Sequence, residues 1–363
     1  MAWHREGRAD FCLRQLRRWC AYGQSVVVFR LSGILAVGLV MAGMGWCSGD
    51  PPEGLFWAPR VLPPAPVPPG NPQSEAKIQL GKQLYFEKRL SFDNTVSCAS
   101  CHDPKAGWAD PRQFSEGVDH AKGGRNAPTV LNSAHYQFQF WDGRAGSLEK
   151  QALGPIQNPV EMKMTMPLAL DRLQGIPGYV KAFQEVFGGA PSDETVAKAI
   201  AAFERTVISR NSPFDRYLAG DTAAMSPAAV RGMKLFNGKA PCSPCHTGPS
   251  FTDSKFHNLG IGAGATEPDV GRFKVTNNPQ DYGAFKTPTL RSVALTAPYL
   301  HDGSERTLEA VVEFYNRGGN RNPNLAPLML PLRLTQSEKS ALVAFLEALT
   351  GEDLGITEPA LPE

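Results

Sequence analysis

Two five-residue stretches 144 positions apart limit what this chain can become: Cys98-Ala-Ser-Cys101-His102 and Cys242-Ser-Pro-Cys245-His246. Each is a C-x-x-C-H motif. Two thiols at this spacing suit thioether bonds to the vinyl groups of a porphyrin, and the imidazole on the next residue suits the proximal side of the iron; this is covalent haem c attachment. A zinc site would need a second ligand pair, and a thioredoxin-like dithiol would sit in a βαβ context. The flanks TVSCASCHDPKAGWADP and PCSPCHTG are instead rich in Gly, Pro and Asp. The separation of the motifs predicts two domains with one haem in each.

The chain has 363 residues and seven cysteines, four of which the motifs consume. Cys12, Cys20 and Cys47 all lie towards the N-terminus, so no disulfide framework is indicated. Arg5, Arg8, Arg14, Arg17, Arg18 and Arg30 precede the apolar run LSGILAVGLVMAGMGWC. At about 16 residues this run is nearer a signal-peptide core than a membrane span. Residues 1–46 therefore read as an export segment, and a periplasmic location fits haem c, which bacteria attach outside the cytoplasm. Cys47 offers a lipidation site and a weak membrane tether, although Trp46 stands where a lipobox wants a small residue. Removing residues 1–46 takes six of 37 basic and two of 35 acidic residues, leaving 31 against 33. A nearly neutral body of this kind gives no sign of binding nucleic acid.

Residues 47–73 read as a Pro-rich tether without periodicity. A short helical pattern over 74–90 then opens an N-terminal haem domain, 74–222, which is followed by a C-terminal haem domain, 223–363. HYQFQFWDGR alternates Tyr136, Phe138 and Phe140 with polar residues, which predicts an extended, half-buried segment delivering Trp141. Ser192 caps a helix that carries Val196, Ile200, Phe203 and Val207. A second helix opens at Ser226-Pro227, carries Val230, Met233 and Phe236, and stops at Gly238. The Thr335/Glu338 capping box starts a last helix with Leu342, Phe345 and Leu349, ending at Gly351. Mainly α structure with long loops is expected, and the only internal echo read from the sequence is the haem motif itself.

The stretches CASCHDP, GGRNAPTVLN, FWDGRAGSLEKQALGPIQNPVEM, RTVISRNSPFDRYLAGD, CSPCHTGPSFTD and FKTPTLRSVALTAPYLHDG carry a resemblance to the bacterial di-haem cytochrome c peroxidase and MauG family. It spans residues 75 to 350. The resemblance implies two cytochrome c-like domains with the haems at their interface and a calcium ion between them. It places Trp141 between the haems as a stepping stone for electrons, with Gln151 and Glu161 over the peroxide-binding face of the first haem. It gives calcium Asn126 and the backbone carbonyls of Thr296 and Pro298, the oxygen ligands a hard cation takes. Tyr315 stands where the peroxidases have a methionine ligand to the second haem and MauG has a tyrosine. An anionic phenolate stabilises oxidised iron where a thioether favours reduced iron, so the MauG-like branch is the nearer one.

The implied activity is reduction of hydrogen peroxide by an exported enzyme. Its electrons come from a small cytochrome c or a cupredoxin or, MauG-like, from an oxidisable side chain of a partner protein. The alternative is a non-enzymatic electron-transfer cytochrome with both irons fully ligated. His120 reads either as a cap on the first iron or as a loop histidine. Met162, Met164 and Met166 read as gap-filling core residues rather than ligands. His301 reads as structural, and no motif supports His4, His135 or His257.

Overall fold

Helices begin where short polar side chains can take up the free N–H groups of a first turn, and this governs the computed structural model, in which residues 61–363 are described. The export segment, Cys12, Cys20, Cys47 and most of the tether lie outside the described residues. No helix among the described residues is long and apolar enough to cross a membrane.

Among the described residues nine helices exceed one turn: α1 (Glu75–Phe86), α2 (Leu148–Gln157), α3 (Met166–Gln174), α4 (Pro177–Phe187), α5 (Asp193–Glu204), α6 (Pro213–Leu218), α7 (Pro227–Asn237), α8 (Leu308–Arg317) and α9 (Gln336–Glu347). Cys98–Cys101 forms a single turn of helix, so the first motif sits on a helical turn. Ser74, Ser147, Ser226 and Thr307 cap α1, α2, α7 and α8, while reciprocal boxes start α5 (Ser192/Thr195) and α9 (Thr335/Glu338). Pro227 occupies the first turn of α7, and Gly238 ends it. The expected helices form, but the apolar pattern overran two of them: α5 stops at Glu204 before Val207, and α9 stops at Glu347 before Leu349. Both residues are fully buried all the same. Among the described residues the strands are a two-residue antiparallel pair, β1 (Phe256–His257) with β2 (Phe285–Lys286).

The expected extended segment at 135–144 does not form. Ser133–His135 is a 3₁₀ turn and Phe140 has a φ of 66°, which breaks the two-residue period. Gln139 is the buried residue rather than its aromatic neighbours, donating Nε2–H to the Ser133 carbonyl at 3.0 Å. The aromatics meet cations: Lys286 lies 3.8 Å from the centre of the Tyr136 ring and Arg144 lies 3.4 Å from that of Phe140.

Packing exposes a repeat that the sequence reading missed. α1 packs on α5 just as α7 packs on α9. A methyl group on Gly81 would overlap the Ala199 carbonyl, and one on Gly232 would overlap the Ala341 carbonyl. Each helix pair carries an aromatic trio: Tyr85, Trp108 and Phe203 with centroids 5.2–6.0 Å apart, and Phe236, Phe251 and Phe345 at 5.2–6.3 Å. The connecting loops repeat as well. Left-handed Asn132, Phe140 and Gly143 answer to Ser292, Leu300 and Gly303, and the Gln139–Ala145 bridge answers to Tyr299–Glu305. In register, APTVLN at 127–132 matches TPTLRS at 287–292, and WDGRAGSLE at 141–149 matches HDGSERTLE at 301–309. Buried apolar residues gather separately in each half, around Leu84, Ile156 and Ile200 in the first and around Phe236, Phe251 and Phe345 in the second.

Candidate haem sites and the junction between them

Both motif histidines are half-buried, and the desolvation of their rings pushes the pKa of each down, that of His246 to about 4. Each is therefore the neutral imidazole that a metal needs. In the second half, His246 Nδ1 lies 3.0 Å from the Phe251 carbonyl. Donating its N–H there leaves Nε2 with a bare lone pair, the arrangement of a ligating histidine. In the first half the corresponding carbonyl, of Trp108, accepts from Val130 N at 3.0 Å, and His102 Nδ1 is buried without a hydrogen bond.

A cavity of about 260 Å³ opens over His246. Cys242, Cys245 and His246 line it together with Val311, Val312 and Tyr315 of α8. Burial raises the Tyr315 hydroxyl well above its ordinary pKa, and the two thiols add to the effect. Trp141, Asn126, Thr296 and Pro298 line the same cavity, which therefore runs from the second motif to the junction of the halves.

That junction is reciprocal. Asn126 N donates to the His301 carbonyl at 2.8 Å, and Lys286 N donates to the Trp141 carbonyl at 2.8 Å. Asn126 matches Lys286 in the repeat, as Trp141 matches His301, so each half holds the other by the same bond. The Trp141 and His301 rings meet edge to face at 6.4 Å, while His301 stacks on Phe285 at 3.5 Å. Trp141 Nε1–H donates to the Asn126 carbonyl at 2.9 Å. Arg125 clamps the seam, 2.7 Å from Asp142 and 2.6 Å from Asp269.

The di-haem cytochrome c peroxidase family model matches residues 75–223. Cytochrome-c peroxidase IdrP1 of Pseudomonas sp. (strain SCT) is 43% identical over 333 residues, spanning 83% of this chain and 88% of the relative. This chain belongs to the di-haem cytochrome c peroxidase family. The methylamine utilization protein MauG of Methylorubrum extorquens is also 43% identical, over 299 residues covering 82% of this chain and 84% of its own. The crystal structure of a MauG-like protein associated with microbial copper homeostasis superposes with a TM-score of 0.75 at 36% identity, covering 81% of this chain and 95% of that one. The protein is thus a di-haem peroxidase with two haem c groups, acting on hydrogen peroxide together with a protein electron donor or substrate. The half-buried His246, its Nδ1 at a carbonyl and two thiols beside it on an apolar cavity, fits such a group, as does His102 beside Cys98 and Cys101.

Around the first motif, burial chiefly raises the Cys98 and Cys101 thiols, and Glu161 lies close enough for its charge to add a little to each. Burial lifts its own carboxyl above the usual carboxylate range, with the Asn158 amide, 2.6 Å from Oε1, and Arg144 pulling it back. Gln151 stands on α2 at the position of Val311 on α8. Met162, Met164 and Met166 are buried in the first apolar cluster. His120 projects into solvent with its side chain 95% exposed, 4.0 Å from Glu116. His257 pairs with Asp253 at 2.8 Å, which lifts its pKa to about 9, and His135 is half-buried. Asn126 commits Nδ2 to the carbonyls of Arg112 and Gln113 at 3.1 and 3.3 Å, so Oδ1 is the atom left for a cation.

Sequence reasoning missed two positions. Pro155 stands on α2 where Tyr315 stands on α8, and Lys286 is a buried cation in the cavity. Aligning the two APT/TPT and DG stretches would have found both.

Proposed function

We propose that the two halves divide the labour of a MauG-like peroxidase: residues 74–222 would take the peroxide, and residues 223–363 would hold the second haem with His246 and Tyr315 and exchange electrons without binding peroxide. The contrast between Pro155 and Tyr315 carries this reading. Tyr315, which lines the same cavity as His246, would offer the second haem an oxygen donor in addition to the imidazole. Proline has no atom to offer iron, so the matching place in the first half is left to substrate. A purely electron-transferring cytochrome would need a ligand in both places.

When bound, the haem irons supply the electrons that cleave the O–O bond. Glu161 moves a proton from the inner to the outer peroxide oxygen, for which a carboxyl with a raised pKa is suited. Gln151 holds the peroxide with its amide, a group that the apolar Val311 of the second half lacks. Two electrons and two protons then turn peroxide into two waters. The electrons pass Trp141, whose indole N–H is held by a carbonyl that cannot take its proton. The Tyr315 phenolate favours oxidised iron at the second site and so the storage of oxidising equivalents there. This suits an oxidisable side chain of a partner protein as the electron source, with a small cytochrome c or cupredoxin as the simpler donor.

A calcium ion would take Asn126 Oδ1 and the carbonyls of Thr296 and Pro298 at the junction. Residues 1–46 would direct export to the periplasm, leaving residues 47–73 as a tether and Cys47 as a weak lipid anchor.

Electron paramagnetic resonance of the diferric protein tests the reading. One high-spin and one low-spin signal are expected, with only the high-spin signal responding to peroxide or small anions. Two low-spin signals and no peroxide turnover would refute it.

A further inference from the structure

The cavity over His246 is lined by one ammonium group and, among the described residues, by no carboxylate and no arginine. The ammonium is that of Lys286, a residue only 6% exposed. Its Nζ has three protons to donate and one weak acceptor, the Thr287 carbonyl at 3.3 Å, beside the face of the Tyr136 ring. Burial pulls its pKa down to about 7, and Asp253, the one acid holding it up, is already paired with His257 at 2.8 Å. A buried ammonium without a carboxylate beside it tends to lose its proton, and an arriving counter-charge holds it in the charged form.

The fold does not need this charge. At the matching position of the first half the same backbone bond across the junction is made by neutral Asn126. What distinguishes Lys286 is therefore the side chain and the space it faces. A haem tethered there through Cys242 and Cys245 would bring two propionate carboxylates into a cavity whose two basic side chains are His257, already neutralised by Asp253 at 2.8 Å, and Lys286, which has no carboxylate of its own.

We propose that Lys286 is the counter-cation of a propionate of the second haem, and that its charge tunes that haem from a point fastened by its backbone to Trp141. The inference rests on the two-haem reading. The ammonium opposes the Tyr315 phenolate: the phenolate favours oxidised iron, and a fixed positive charge at the porphyrin edge favours reduced iron. Lys286 is a positioning residue, since it acts through the propionate and not on peroxide.

The test uses full-length diferric holoprotein bearing Lys286→Met or Lys286→Arg, with intact mass establishing that both haems are attached. Loss of a haem would speak against the two-haem reading, whereas the potentials speak to Lys286 alone. In Lys286→Met the second haem's equilibrium should move at least about tenfold towards ferric, a fall of about 59 mV for a one-electron couple, with the first haem unmoved. Lys286→Arg should stay within about threefold of wild type, because it keeps the charge. Redox-difference infrared spectra with ¹³C-labelled propionates should show a carboxylate band that shifts in Lys286→Met and persists in Lys286→Arg. Unchanged potential and band in a two-haem Lys286→Met protein would overturn the proposal. If that variant does not accumulate, wild type decides: propionate bands at the frequency of hydrated, unpaired carboxylate overturn it, and a displaced band supports it.

Discussion

The two halves of this peroxidase share a scaffold to the level of single hydrogen bonds and differ where chemistry is done. Gly81 and Gly232 make the same close helix contact, and Ser147 and Thr307 cap matching helices. Yet on those matching helices Gln151 and Pro155 face Val311 and Tyr315 across the repeat, and at the junction Trp141 and Asn126 face His301 and Lys286. Backbone geometry tolerates one solution, so it is kept twice. The side chains around the two motifs are free to diverge, and in the proposed division of labour this divergence would leave the first site open to peroxide and the second occupied by Tyr315.

The comparison breaks most completely if the second half's ligand is moved to the first. Pro155→Tyr should place a phenol where peroxide enters, convert the high-spin signal to low-spin and abolish turnover; retained turnover would mean that Pro155 does not mark the open position. Removing the acid of the open site is a smaller insult. Glu161→Gln should keep both haem spectra and slow the reaction with peroxide by roughly two to four orders of magnitude. Because burial raises the Glu161 carboxyl, the wild-type rate should climb with pH through a value above the ordinary carboxylate range, as the ionised form that accepts the proton is populated. A pH–rate profile of Glu161→Gln should lack that step.

Altering the closed site changes its redox level and leaves peroxide entry alone. Tyr315→Met substitutes a neutral thioether for an anion, and the second haem's potential should rise by about 59 mV or more in a spectroelectrochemical titration. An unmoved potential would make Tyr315 a packing residue. The smallest expected effects probe the shared scaffold. Gly81→Ala and Gly232→Ala each force a methyl against a backbone carbonyl and should cost about 1–3 kcal/mol, read as a lowered Tm. Similar losses in both would support equivalence of the two contacts, and a loss in only one would show that the repeat is geometric without being energetic.

Much of this was legible in the sequence because it rests on local rules. The C-x-x-C-H motifs announce thioether attachment, Ser192 and Thr335 announce helix starts, and Ser226-Pro227 with Gly238 bounds α7. The alternation of Tyr136, Phe138 and Phe140 misled because Phe140 adopts a left-handed backbone, a choice made by the turn leading to Trp141 and not by its own apolarity. Val207 and Leu349 extended helical patterns past the true ends because burial, which the pattern records, continues after the helix stops.

The sequence by itself therefore determined the two attachment points, the helix boundaries set by caps and the family to which the chain belongs. Each depends on residues within a few positions of one another. Only the tertiary structure decided that Asn126 and Lys286 hold the opposite half by one reciprocal bond, and that Lys286 is buried without a carboxylate. Those relations join residues far apart in the chain, and they exist only once two copies of the same helix pair have packed and brought Trp141 and His301 to a common seam.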